Sequence, residues 1–142
     1  MAIALTACAG GLVAMQAPIN SRLGKAAGTF AAASISFLIG TLILVAITAV
    51  SGKGVNLSAA GKLPWYYFTG GALGAAYVTT VLVSVRTLGA GGVTAATIAG
   101  QLSTAVVLDQ LGVLGLPEKQ VTVARLAGVV LLAAGVFLIV RE

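Results

Sequence analysis

The sequence predicts an all-α integral membrane protein with five transmembrane helices in a single membrane domain over residues 1–142. A mean hydropathy of +1.11, with 59% hydrophobic and 8% charged residues, lies far outside the mix of a soluble domain. Apolar runs recur over about 2–20, 30–50, 65–86, 93–111 and 121–140, each close to the ~20 residues that cross a ~30 Å hydrocarbon core. The breaks between runs hold most of the charged side chains.

Composition also excludes functions. There is no His and a single cysteine, Cys8, so one copy can build neither a disulfide framework nor a recognisable metal site, and no cofactor is expected. An enzyme needs a nucleophile with a base, or a metal, and these residues do not supply one. The net charge of +5 comes from eight Lys and Arg against three acids. They are dispersed along the chain, which argues against nucleic acid and for contact with lipid headgroups.

The first span carries no charge from Ala2 to about Asn20. A secretory leader would begin with basic residues, and none precede this run. Leu5-Thr6-Ala7-Cys8 has the look of a lipoprotein cleavage box, but only seven residues precede the cysteine; Cys8 is expected to be a small buried apolar residue. The informative end is Gln16-Ala17-Pro18-Ile19-Asn20, followed by Arg22 and Lys25. Gln16 and Asn20 fall about 40° apart on a helix and present two amides to one place. Pro18 frees a backbone carbonyl one turn earlier. Two readings stay open: a helix end at the headgroups, or the polar lining of a substrate path.

The second span, 30–50, has Ser34, Ser36, Gly40 and Thr41 as its small or hydroxyl positions, which can bond to their own helix backbone. Ser51 to Pro64, with Lys53, Asn56, Ser58 and Lys62, reads as a mobile surface loop. Trp65-Tyr66-Tyr67 opens the third span as an aromatic interface anchor. Gly70 and Gly74, four apart, offer a face that another helix can approach closely. Arg86 closes that span, and Leu88-Gly89-Ala90-Gly91-Gly92 makes a short turn.

In the fourth span Gln101 and Asp109 lie about 12 Å apart along the axis and about 80° around it, with Thr104 near the Gln101 face. They can line one side of a cavity at two depths. An ionisable group at such a depth is costly and marks a functional position by default. Leu111 to Pro117 is a Gly- and Pro-broken connection ending in Glu118 and Lys119, and the fifth span carries Arg125 one turn in. Asp109 and Arg125 fall on the same side of the membrane. An ion pair lets both tolerate their depth and is also a candidate proton site.

Five spans put the termini on opposite sides. Lys53, Lys62, Lys119 and Arg125 then share the side of the N-terminus, against Arg22, Lys25, Arg86 and Arg141 on the other. Four against four gives the positive-inside rule nothing to act on. Such a chain can insert both ways, and two oppositely inserted copies can pair about an axis in the membrane plane, as inverted repeats do within larger transporters. The expected assembly is an antiparallel, dual-topology homodimer in which Gln16 and Asn20 of one copy approach the level of Asp109 and Arg125 of the other. A single-topology subunit, either structural or half of a heteromeric transporter, is the alternative.

Gly11 to Asn20 (GLVAMQAPIN), Leu63-Pro64-Trp65-Tyr66 with Gly70-Gly71 and Gly74-Ala75, Leu88-Gly89, Ala99-Gly100-Gln101-Leu102, Leu108-Asp109 and Arg125-Leu126-Ala127-Gly128 together resemble the YdcZ-like half-size branch of the drug/metabolite transporter superfamily. The resemblance covers nearly the whole chain. It implies a multi-pass protein of the bacterial inner membrane, an antiparallel pair resembling a ten-helix transporter, and an exporter role by alternating access, without naming a ligand. Where that branch often has an aromatic or His after the Asp, this chain has Gln110, which removes one candidate proton relay. Related small multidrug exporters carry a glutamate in the first span; this chain offers Gln16 and Asn20 instead. An uncharged lining, with Asp109 the sole carboxylate near the core, points to a neutral, zwitterionic or lipid-like small-molecule substrate. The candidate path residues are Gln16, Asn20, Gln101 and Thr104.

Overall fold

The computed structural model describes residues 1–52 and 54–141. Lys53, counted above among the charges on the side of the N-terminus, and Glu142 fall outside the described residues. The described chain is helical: α1 (Ala2–Ala27), α2 (Thr29–Val50), the single turn α3 (Leu57–Ala60), a 3-10 turn (Trp65–Thr69), α4 (Gly70–Leu111) and α5 (Val123–Val140). Among the described residues, four helical stretches are long and apolar enough to cross a membrane: Ala2–Ala27, Thr29–Val50, Trp65–Leu111 and Val123–Val140. The third has 47 residues, about 70 Å of helix and more than twice the ~30 Å hydrocarbon thickness. Gly89 interrupts it with φ 67° and ψ 172°. That region of backbone space is open essentially to glycine alone. Counted across this break, the apolar helices number five. The turn expected over Leu88–Gly92 is thus confined to one residue, because Gly91 and Gly92 keep helical backbone.

The chain divides into two compact units, residues 1–86 and 87–142. In the first, α1 and α2 form a hairpin about a single residue, Gly28, whose φ is 94°. One face of α1, formed by Ala17, Asn20, Ser21 and Gly24, is buried. It meets Ala32 and Ala33 of α2 and Leu82 of α4, which is fully buried. Small side chains let helix backbones approach, which is how helices associate where the solvent is itself apolar. Gly24 shows how closely: a Cβ there would lie 2.7 Å from Leu82 Cδ2. At the end of this unit Arg86 Nη2 donates to Thr29 Oγ1 at 3.3 Å.

The helix boundaries differ from the sequence reading in ways that matter for the site. α1 does not stop near Asn20 but runs on to Ala27, with Pro18 inside it. Arg22 and Lys25 are good helix formers with stems long enough to carry their charges away from the helix axis, so they lengthen the helix instead of ending it. Cys8 is exposed rather than buried, as are all of the first 13 residues. The loop before the third span is partly structured: Asn56 Oδ1 accepts from Ala59 N at 2.9 Å and caps α3. Trp65, Tyr66 and Tyr67 are exposed and pack edge-on and tilted against one another at centroid distances of 6.4 and 4.7 Å. Gly74 faces the Phe37 ring of α2, at 3.4 Å from a built Cβ, whereas Gly70 has nothing within 4 Å.

In the second unit, the part of α4 after Gly89 runs against α5. A built Cβ on Gly92 lies 3.6 Å from Val140 Cγ2, and Asp109 meets Arg125 at the other end. Across the described chain the buried apolar residues are Ala17, Ala32, Ala33, Val81, Leu82, Val93 and Ala95. Most large apolar side chains face outward, as a chain solvated by lipid or by a second copy requires.

Replacing Gly89 by Val forces a β-branched residue to positive φ. The expected cost is about 2 kcal/mol, read as a lowered melting temperature in detergent. Gly91→Ala, in open helical surroundings, leaves melting unchanged or raises it.

Candidate functional site

The longer α1 changes the position of its two amides. Gln16 sits within two residues of the centre of the 26-residue helix, and Asn20 about one turn further on. Neither is at a helix end. Asn20 is 6% exposed, and its Nδ2 donates to Ser36 Oγ of α2 at 3.2 Å. Asn20 and Ser36 are each eight residues from Gly28, so the hairpin geometry itself brings them face to face. Ser36, read above as bonding to its own helix, serves the neighbouring one instead. Gln16 is exposed and has no hydrogen-bond partner among the described residues.

Between α1 and α4 lies a small cleft of ≈ 10 Å³, lined in part by Gln16, Ala17 and Asn20 on one side and by Tyr77, Val81 and Leu82 on the other. That is room for about one water molecule. Tyr77 was absent from the candidate residues. It lies at the centre of Trp65–Leu88, in a stretch of small and apolar residues. A phenol so far from either interface needs a polar neighbour, and that was the available signal.

The polar residues of the second unit form a separate group. Arg125 Nη2 donates to Asp109 Oδ2 at 3.0 Å, with the two side chains 32% and 27% exposed. Nη1 of Arg125 is buried and has no hydrogen-bond partner. The backbone around the pair is drawn in by short bonds. Lys119 N donates to the Asp109 carbonyl at 2.7 Å, and Val121 N donates to Gln110 Oε1 at 2.6 Å. Thr122 Oγ1 accepts from Arg125 N at 3.3 Å and caps α5. Gly112, Leu114 and Gly115 all adopt positive φ, and Gly112 leaves only 3.1 Å between a built Cβ and Glu118 Cβ. Gln110 therefore has a definite task in this chain: it fastens the connection to the start of α5.

Gln101 and Thr104 lie on exposed surface of the same unit. Neither has a side-chain hydrogen-bond partner among the described residues, and neither lines the cleft described above. No group of three or more metal-ligating side chains occurs among the described residues.

A family model described as "Putative inner membrane exporter, YdcZ" matches residues 1–138. The chain belongs to the YdcZ family. No curated protein and no solved structure matches it. YdcZ membership, together with the apolar helices, makes this a multi-pass membrane transporter of the inner membrane. A transporter family is not an enzyme class.

Asp109→Asn removes the only carboxylate facing Arg125 among the described residues and leaves a partly buried guanidinium without a counter-charge. With each side chain about a third exposed, the cost is about 1–2 kcal/mol, below that of a fully buried pair. A lowered melting temperature for Asp109→Asn and Arg125→Gln, with Gln110→Ala intermediate, checks it.

Proposed function

We propose that this YdcZ-family protein exports a small molecule by alternating access, as an antiparallel homodimer whose two copies share one polar path. The cleft beside Gln16 is the observation that carries this reading. Ligand pockets occupy about 300–1,000 Å³, and a cleft of ≈ 10 Å³ is far too small to enclose a substrate within one protomer. Yet Gln16, Asn20 and Tyr77 contribute to its lining, midway along helices long enough to cross lipid. Polar groups at such a depth are tolerated where they face other protein or a water-filled cavity. A second copy supplies the missing wall.

The inverted arrangement follows from charge and depth together. The cations divide four against four, so neither orientation is preferred. A residue at the centre of the membrane keeps its depth when a copy is turned over, so Gln16 of both copies reaches the same level. Gln101 and Thr104 are further path positions in their own unit. The Asp109–Arg125 pair is closed in this state, and protons or substrate open it during the cycle. Packed groups of helices then rock about the central site.

Tags on the two termini report the assembly. Each terminus is expected to label from both sides of the membrane; a single orientation overturns the antiparallel homodimer and points to a different partner. A ligand screen by thermal shift on the purified protein, repeated with Gln16→Ala and Gln101→Ala, tests the path. The expected result is about five- to tenfold weaker binding with the fold preserved, and unaltered binding in both variants moves the path elsewhere.

A further inference from the structure

The basic side chains are dispersed along the sequence, but within residues 1–86 the fold brings three of them to one level. Arg86 Nη2 donates to Thr29 Oγ1 at 3.3 Å and lies 3.0 Å from where a Cβ on Gly24 would stand. Lys25 follows that glycine, and Arg22 is its neighbour one turn back on α1. All three cations are exposed. We propose that Arg22, Lys25 and Arg86 form a headgroup site for an anionic phospholipid at the Gly28 end of this unit.

The first argument is charge. No Asp or Glu precedes Asp109, so no carboxylate within residues 1–86 can neutralise these cations, and like charges a turn apart repel. The helix ends offer little in return. α1 and the part of α4 before Gly89 each end here with about −0.5 of a charge, and α2 begins with about +0.5. Three whole positive charges thus face about half a negative one.

Depth says which anion is at hand. The 26 residues of α1 extend about 39 Å, longer than the ~30 Å hydrocarbon core, and Gly28 alone joins α1 to α2. Arg22 and Lys25 stand within about 9 Å of that turn along the axis, at the level of lipid phosphates. A one-residue turn leaves no loop to reach over them. The chemistry fits as well. A guanidinium has five N–H donors in a fork that matches phosphate oxygens, of which the Thr29 bond uses one. That bond and the bare backbone at Gly24 hold the Arg86 fork in place, so less freedom is lost when a phosphate meets it. Arg22 and Lys25 add charge beside it. The site is complete in one protomer, in either membrane orientation, and is independent of what is transported.

Electron paramagnetic resonance of spin-labelled phosphatidylglycerol and spin-labelled phosphatidylcholine, on the full chain in phosphatidylcholine nanodiscs, reads the fraction of each lipid held at the protein. The expected preference for phosphatidylglycerol is about fivefold, the effect of a single cation near an anionic headgroup. Replacing all three cations by Gln abolishes it, whereas Lys62→Gln with Lys119→Gln, which removes charge from the other connections, leaves it unchanged. Arg22→Gln with Lys25→Gln lowers it by about half; neither side chain has a hydrogen-bond partner among the described residues, so this variant reports even where Arg86→Gln fails to fold. Equal retention of both lipids by the unaltered protein, a preference that survives the triple replacement, or an equal loss in the Lys62 and Lys119 variant overturns the site. A preference erased by inorganic phosphate, but not by sodium chloride of the same ionic strength, gives the cations to a free anion and overturns the lipid.

Discussion

A polar group inside a helix that crosses lipid must be satisfied by protein, because no water is there to do it. In this chain that requirement is met most directly by Asn20 and Ser36, 3.2 Å apart across the α1–α2 hairpin. The bond forms only if two helices approach closely, and they approach closely because the facing residues are Ala17, Ser21, Gly24, Ala32 and Ala33. A bulky residue on that face would part the helices and strand the amide. Packing and polar satisfaction are therefore one constraint in the first unit, and the same packing places Gln16 and Tyr77 on either side of a cleft.

The second unit solves the same problem by shorter-range means. A carboxylate and a guanidinium near the ends of adjoining helices are drawn together at 3.0 Å. The connection between them turns through three positive-φ residues and is fastened by Gln110 and the Asp109 carbonyl. The pair is incompletely satisfied, since Nη1 of Arg125 has no hydrogen-bond partner. That leaves the closed arrangement less stable than a two-pronged Arg–carboxylate contact, which suits a pair proposed to open during transport.

Much of the membrane character was legible in the sequence because hydropathy and span length are properties of short windows. The third and fourth spans were separated at the Gly-rich stretch Leu88–Gly92 after Arg86, and the break falls within it, at Gly89. Helix ends were less legible. Arg22 and Lys25 resemble a terminus in composition, yet a charged side chain on a long stem sits on a helix as readily as beyond it, so α1 was read seven residues short. Cys8 was misjudged because burial depends on which part of a helix has a neighbour. Ser36 was assigned to its own helix and Tyr77 escaped notice because their positions matter only through packing across helices. The Ser36 pairing was recoverable in principle: two residues equidistant from a one-residue turn face each other. The cleft at Tyr77 required the packing of a third helix.

That one-residue turn has a consequence for biogenesis. With only Gly28 between them, α1 and α2 have no slack with which to enter the bilayer at different times or in unrelated senses. They must be laid down as a single folded pin, and the decision about which way the protein faces is made once for both. Any signal that biases topology, from whichever connection it comes, acts on the two helices of the pin together.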